Sequence, residues 1–116
     1  MQDPQRQVTL GDTNLEHIYP QDPAATGWGG SANQEKLEPF TWHIGNLTIF
    51  GKKANRKVAN DEYSDKRKGY ASSKVVMTNQ IATAYTKWDE NNITDRAKKL
   101  AKTVVLIWEF NNTSRV

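Results

Sequence analysis

The interval from Pro20 to Pro39 constrains the fold more than any other stretch of the chain. It carries Pro20, Pro23, Gly27, Gly29 and Gly30. Such residues fix φ, withdraw a backbone donor or admit conformations closed to other side chains, which argues against a long regular element there. Before it, residues 14–19 (Asn-Leu-Glu-His-Ile-Tyr) read as a short strand stopped by Pro20. After it, residues 46–50 (Asn-Leu-Thr-Ile-Phe) form a β-branched, apolar run ended by Gly51. The two strands are expected to pair as a hairpin with a long inserted loop. A loop of that length in a small domain is uncommon and usually functional. Trp28 and Phe40 are expected to anchor it to the body.

Beyond Gly51 the pattern turns helical. Residues 53–59 suit a short helix carrying Asn55, and a helix around 60–70 puts Tyr63, Arg67 and Tyr70 on one side. Residues 74–88 suggest another. The strongest signal runs from 93 to 110, where Ile93, Ala97, Leu100, Val104 and Ile107 form an apolar stripe with Lys98, Lys99 and Lys102 outside it. Thr94 or Asn92 is the expected cap, with Asp95 near the positive helix end. Trp88 and Trp108 read as core anchors. The fold class is therefore α+β: a polar lead-in over 1–13, one domain over 14–110 and a polar tail over 111–116.

At 116 residues the chain is long enough for one domain, and a hydrophobic fraction of 36% implies a thin core. There is no cysteine, which excludes a disulfide framework, a thiolate zinc site and a cysteine nucleophile. A reducing, cytoplasmic location is expected. No apolar run approaches the ~20 residues that span a bilayer, and no signal peptide opens the chain. The net charge of +3 conceals an asymmetry. Residues 1–40 set Arg6 and Lys36 against six acids, whereas Lys52, Lys53, Arg56, Lys57, Lys66, Arg67 and Lys68 face only Asp61, Glu62 and Asp65 in residues 51–70. A charge run is ordinarily a solvated helix face. Its place here, directly after the candidate chemical motif, favours a polyanion such as nucleic acid.

That motif is Glu16-His17-Ile18-Tyr19-Pro20-Gln21, followed by Gly45-Asn46-Leu47-Thr48 and then Asn55-Arg56-Lys57. Metal-assisted phosphodiester hydrolysis needs hard ligands, a base for water and charge to calm the leaving oxygen. Glu16 and the Asn55 side-chain oxygen suit Mg²⁺ or Mn²⁺. His17, neutral near physiological pH, can take a proton from water. Asn46 can pin the loop bearing His17, and Arg56 and Lys57 can grip phosphate. Neighbouring strand residues point to opposite faces, so Glu16 and His17 together imply a twisted or bulged strand end. His43 reads as a loop histidine, with a phosphate contact or a second base as the alternative. Asn60 is a candidate helix cap, and Arg96 suits an ion pair better than a DNA contact.

These residues resemble the HNH, or ββα-metal, endonucleases, and among them the C-terminal nuclease domain of GmrSD-type modification-dependent restriction and phage-defence proteins. The resemblance runs from Leu15-Glu16-His17-Ile18-x-Pro20-Gln21 through Gly45-Asn46-Leu47-Thr48, Asn55 and Asn60 to Lys66, Tyr70, Ser72, Ile93, Arg96, Leu100 and Trp108. It implies a small ββα-metal core with additional C-terminal helices. By that resemblance His17 is the general base, Glu16 and Asn55 are the metal ligands, and Asn46 orients the site. Glu16 stands where many HNH proteins carry Asp, and Asn55 replaces a final His. The implied function is a divalent-metal-dependent DNA endonuclease that nicks or cleaves both strands, with target choice lying in an N-terminal recognition domain of the parent protein. The rivals are a catalytically silent nucleic-acid-binding module and an RNase or toxin-type HNH domain. Oligomeric state is left open.

Overall fold

The computed structural model of the chain describes residues 13–51, 54–55 and 61–113, with side chains described as far as residue 103. In chain order the described elements are strand β1 (Thr13–His17), helix α1 (Ser31–Leu37), short 3-10 turns at Glu38–Phe40 and Ile44–Asn46, strand β2 (Leu47–Gly51), and helices α2 (Tyr63–Ala71), α3 (Val76–Ala84) and α4 (Glu90–Thr113). Ala54 and Asn55 are helical. The chain is a small α+β domain with a two-stranded sheet.

β1 and β2 pair antiparallel, from Thr13 opposite Gly51 to His17 opposite Leu47. The period of two divides the hairpin cleanly. Glu16, Thr48 and Phe50 are buried on the inner face, while Leu15 and Ile49, opposite each other, are exposed on the outer one. α2 and α3 cover the inner face. The Phe50 ring meets the Tyr70 ring of α2 at 5.2 Å, and the Thr48 hydroxyl lies 2.7 Å from the Thr78 hydroxyl of α3.

The expected structureless insertion contains a helix. α1 occupies Ser31–Leu37 and buries Leu37. Its prolines and glycines bracket it instead of forbidding it: Gly29 and Gly30 take positive φ just before it, and Pro39 lies in the 3-10 turn that follows. Trp28 anchors the segment, as expected. It is buried, its backbone N–H donates to the Glu62 carboxylate at 2.8 Å, and its indole N–H donates to the Asp61 carbonyl. Those bonds hold a non-glycine residue at φ 54, a conformation that ordinarily costs about a kcal/mol or more. Phe40 packs at the edge of the core.

Two helix boundaries also differ from expectation. α3 stops at Ala84, and Tyr85 is extended, so Trp88 reaches the core from a turn. There it stacks on Tyr63, with ring centroids 5.6 Å apart. α4 starts earlier than expected because Asp89 caps it: Asp89 Oδ1 accepts from the Asn92 N–H, and Asn92 Oδ1 accepts from the Asp89 N–H. That reciprocal pair satisfies donors the helix start leaves open. Ile93 of the apolar stripe is fully buried. The side chains of Val104, Ile107 and Trp108 lie outside the described set, as do Asn60 and most of the expected 53–59 helix.

Candidate active site

β1 is regular to its last residue, so the bulge expected from the adjacent Glu16 and His17 is not formed. Their side chains leave opposite faces. Glu16 turns inward and is 2% exposed. His17 stays half-buried, its ring perpendicular to that of Trp42 with centroids 4.4 Å apart. Both nevertheless line one cleft of about 230 Å³, together with Leu15, Pro20, Gln21, Asp22 and Asn55. A cleft that touches three successive strand residues meets the strand side-on, and that geometry makes a bulge unnecessary.

The Glu16 carboxylate is held at both oxygens. Asn55 Nδ2 donates to Oε1 at 3.1 Å. Oε2 accepts from Lys66 Nζ at 3.1 Å and from the Tyr70 hydroxyl at 2.6 Å. Lys66 Nζ also donates to the His17 carbonyl at 2.8 Å, so one ammonium ties the side chain of residue 16 to the backbone of residue 17. Burial pushes the Glu16 carboxyl up, against the pull of Lys66 and of the Tyr70 hydrogen bond. Burial likewise pushes Lys66 down, against the Glu16 carboxylate. The Tyr70 hydroxyl is driven well above its ordinary range by burial and by the adjacent carboxylate, so it remains a donor.

This geometry corrects the reading of Lys66 as a DNA contact. Its side chain is wholly buried and paired inside the domain. Arg67 is half-buried and uses Nε to bond the Ala82 carbonyl at 2.8 Å, joining α2 to α3. Lys68 is exposed. Lys52, Lys53, Arg56 and Lys57 lie outside the described residues. The inward face of α2 is Tyr63, Lys66 and Tyr70, a three-then-four spacing visible in the sequence. Lys66 stands on that stripe between two tyrosines, and that was the available signal for its inward turn.

Asn46 is fully buried, and its amide is used at every position. Oδ1 accepts from the Tyr19 N–H at 2.7 Å and from the Trp88 indole N–H at 3.0 Å. Nδ2 donates to the Tyr19 carbonyl at 3.0 Å and to the Thr41 carbonyl at 2.9 Å. The Asn46 carbonyl accepts from the Ile18 N–H as well. Asn46 therefore fixes the backbone immediately after His17 and does not line the cleft. Arg96 clamps the same turn, donating through one terminal nitrogen to the carbonyls of Gly45 and Leu47. It forms no ion pair among the described residues, in contrast to expectation. Gly45 is demanded by close approach: a Cβ there would lie 1.9 Å from the Ile93 carbonyl oxygen of α4.

His17 is the unusual group. Nε2 is enclosed and has no hydrogen-bond partner among the described residues. Burial, reinforced by the nearby Lys66 charge, pushes its pKa down, which keeps the imidazole neutral. His43 is a loop residue: its Nδ1 accepts from the Gly45 N–H at 3.1 Å and its ring lies against Phe40.

A buried carboxylate, an amide and a neutral imidazole thus share one cleft on a short hairpin. The chain belongs to the family of C-terminal domains of GmrSD restriction endonucleases, whose family model matches residues 2–103. It is thus a restriction endonuclease-type domain, for which DNA is the implied substrate. Comparison with curated proteins and with solved structures gave no significant match. No described helix is long and apolar enough to cross a membrane.

Proposed function

We propose that the domain is a divalent-metal-dependent DNA endonuclease of the HNH, ββα-metal type, and that it is the cutting part of a larger restriction or antiviral defence protein. The observation that carries this reading is the approach of Asn55 to the Glu16 carboxylate, 3.1 Å apart, in the cleft that His17 also lines. Two antiparallel strands followed by the helical residues Ala54 and Asn55 support that reading.

Among the described residues no group of three or more His, Asp or Glu side chains is gathered into a cage. Mg²⁺ does not require one, since it commonly keeps several waters and takes one or two protein carboxylates. Lys66 and Tyr70 engage Oε2 of Glu16 and the Asn55 amide nitrogen donates to Oε1, so Oε1 and the Asn55 amide oxygen would hold Mg²⁺ or Mn²⁺ once that amide turns over. Such a cation supplies charge to the scissile phosphate and the departing oxygen. The chain's own groups do the rest. His17, held neutral and lining the cleft, receives the proton of the attacking water. Asn46 holds the backbone that follows it. Lys52, Lys53, Arg56, Lys57 and Lys68 grip the phosphate backbone, a contact that positions DNA without reading sequence. Target choice then belongs to an N-terminal portion of the parent protein, in the cytoplasm.

A supercoiled plasmid tests the reading. With Mg²⁺ the domain should convert it to open circle or linear form with little sequence preference, and EDTA or His17→Ala should abolish conversion. Plasmid binding that persists in EDTA with no scission under any divalent cation would instead identify a silent binding module.

A further inference from the structure

Trp42 is 62% exposed, although an indole is among the side chains that gain most from leaving water. The turn that carries it is not loose. The Thr41 N–H and hydroxyl both donate to the Glu38 carbonyl, and the Thr41 carbonyl accepts from the buried Asn46 amide. On the other side, the His43 N–H donates to the Phe40 carbonyl and the Asn46 N–H to the His43 carbonyl, while the His43 ring caps Gly45. A backbone fixed on both sides of one residue presents a large aromatic ring to solvent. That ring is held perpendicular to the His17 imidazole, with centroids 4.4 Å apart.

We infer that Trp42 is a nucleobase-binding residue: its exposed indole stacks on one unstacked base of the strand whose phosphate faces His17. The choice of occupant follows from continuity with the cleft. His17 lines the cleft and touches Trp42 directly, so a strand whose phosphate lies at the imidazole has its neighbouring base within reach of the indole. Stacking on an aromatic side chain tolerates any base, because each presents a π-face. The site is therefore suited to a domain that does not read sequence. It also implies a preference for locally unstacked DNA over intact duplex, because a base inside the helix cannot meet the ring. The inference rests on the nuclease reading above.

The test measures binding in EDTA, where no cutting intervenes, with a fluorescent single-stranded oligodeoxynucleotide and the matching duplex. Wild type should bind the single strand more tightly than the duplex. Trp42→Ala should weaken single-strand binding roughly tenfold or more, the scale of one lost base stack. Trp42→Phe, which keeps a π-face, should bind the single strand more tightly than Trp42→Ala. On a probe with abasic sites replacing the bases, wild type and Trp42→Ala should bind alike. Thermal melting of each variant separates lost stacking from lost folding. Equal single-strand affinity of wild type and a folded Trp42→Ala overturns the inference while leaving the nuclease reading intact. So does wild-type self-association that Trp42→Ala abolishes, which would make the ring a contact between two copies. Failure of the wild type to bind or cut any DNA overturns both.

Discussion

Lys66 and Glu16 form an ion pair with no solvent access on the lysine side and 3% on the carboxylate side, Nζ lying 3.1 Å from Oε2. Taking two charges out of water costs several kcal/mol each, and only their mutual attraction and further hydrogen bonds offset it. Here the Tyr70 hydroxyl, the Asn55 amide and the His17 carbonyl supply those bonds. Removing the cation alone strands the anion. Lys66→Met should therefore destabilise the domain by about 3–5 kcal/mol in denaturant titration at neutral pH. Adding Glu16→Gln to that variant should recover part of the loss, because the stranded charge goes with it. A Lys66→Met protein as stable as wild type would mean that the pair is not formed in solution.

The His17 imidazole gives a pH dependence of known sign. Its folded pKa is lowered from 6.5, first by burial and second by Lys66. Between the folded value and 6.5 the unfolded chain carries a proton at residue 17 that the folded chain lacks. Stability from the neutral ring is thus complete above about 6.5 and declines as pH falls through that window. His17→Gln, neutral throughout, should flatten this part of the stability profile. In proton NMR the His17 ring should titrate below 6.5, and Trp42→Ala, by admitting water to the ring, should move the midpoint back toward it. A wild-type midpoint at or above 6.5 contradicts the burial argument.

The strands were legible in the sequence because their signals are local, a short run stopped by Pro20 and a β-branched, apolar run ended by Gly51. The hairpin with its large insertion was legible for the same reason. Which face turns inward was not, since Glu16 and Thr48 face the core while Leu15 and Ile49 face solvent. The family resemblance pairs Glu16 with Asn55, and the fold sets them in contact. The burial of Lys66 was not legible from its local charge run, because it depends on a carboxylate 50 residues away. The α1 helix is masked by the Pro and Gly density of the interval around it, although Ser31–Leu37 itself contains neither. The capping of α4 by Asp89 has no signature in the apolar stripe, which begins a turn later, at Ile93. The reason for Gly45 lies in the approach of α4, a contact no local pattern encodes.

Tyr70 donates the shortest bond to the carboxylate, 2.6 Å. Tyr70→Phe keeps the ring against Phe50 and removes only the hydroxyl. A hydrogen bond to a charged group is worth about 1.5–3 kcal/mol, and a loss of that order is expected on denaturation. Because the bond also lowers the Glu16 pKa, its removal should shift the carbon-13 titration of that carboxyl further upward. An unchanged titration would show that the hydroxyl does not engage Glu16.

Gly45→Ala places a methyl 1.9 Å from the Ile93 carbonyl oxygen and 2.9 Å from its carbonyl carbon. Both are backbone atoms of α4, so no side-chain rotation relieves the clash and the helix must shift away from the Asn46 turn. Overpacking commonly costs about 1–3 kcal/mol and more where backbone must move, and the upper end or beyond is expected here. Thermal melting of the variant checks it: a melting temperature within a degree of wild type would mean that α4 does not pack this closely.

Asn46 allows a sharper test, because its two ends do opposite work. Asn46→Asp keeps an acceptor for the Tyr19 N–H and the Trp88 indole N–H. It also sets an oxygen against the Tyr19 and Thr41 carbonyls where Nδ2 had donated. A buried carboxylate facing two carbonyls is penalised both by desolvation and by repulsion. The expected loss at neutral pH exceeds about 3 kcal/mol, since each buried group left unsatisfied costs about 1–3 kcal/mol. Protonation supplies a donor again, so the folded pKa of the new acid is raised and part of the loss should return as pH falls toward it. Denaturation of Asn46→Asp and wild type side by side, at neutral and mildly acidic pH, reads this out. A variant whose deficit stays constant between the two would mean that the amide nitrogen does not face those carbonyls, and Asn46 would no longer be what fixes the chain beyond His17.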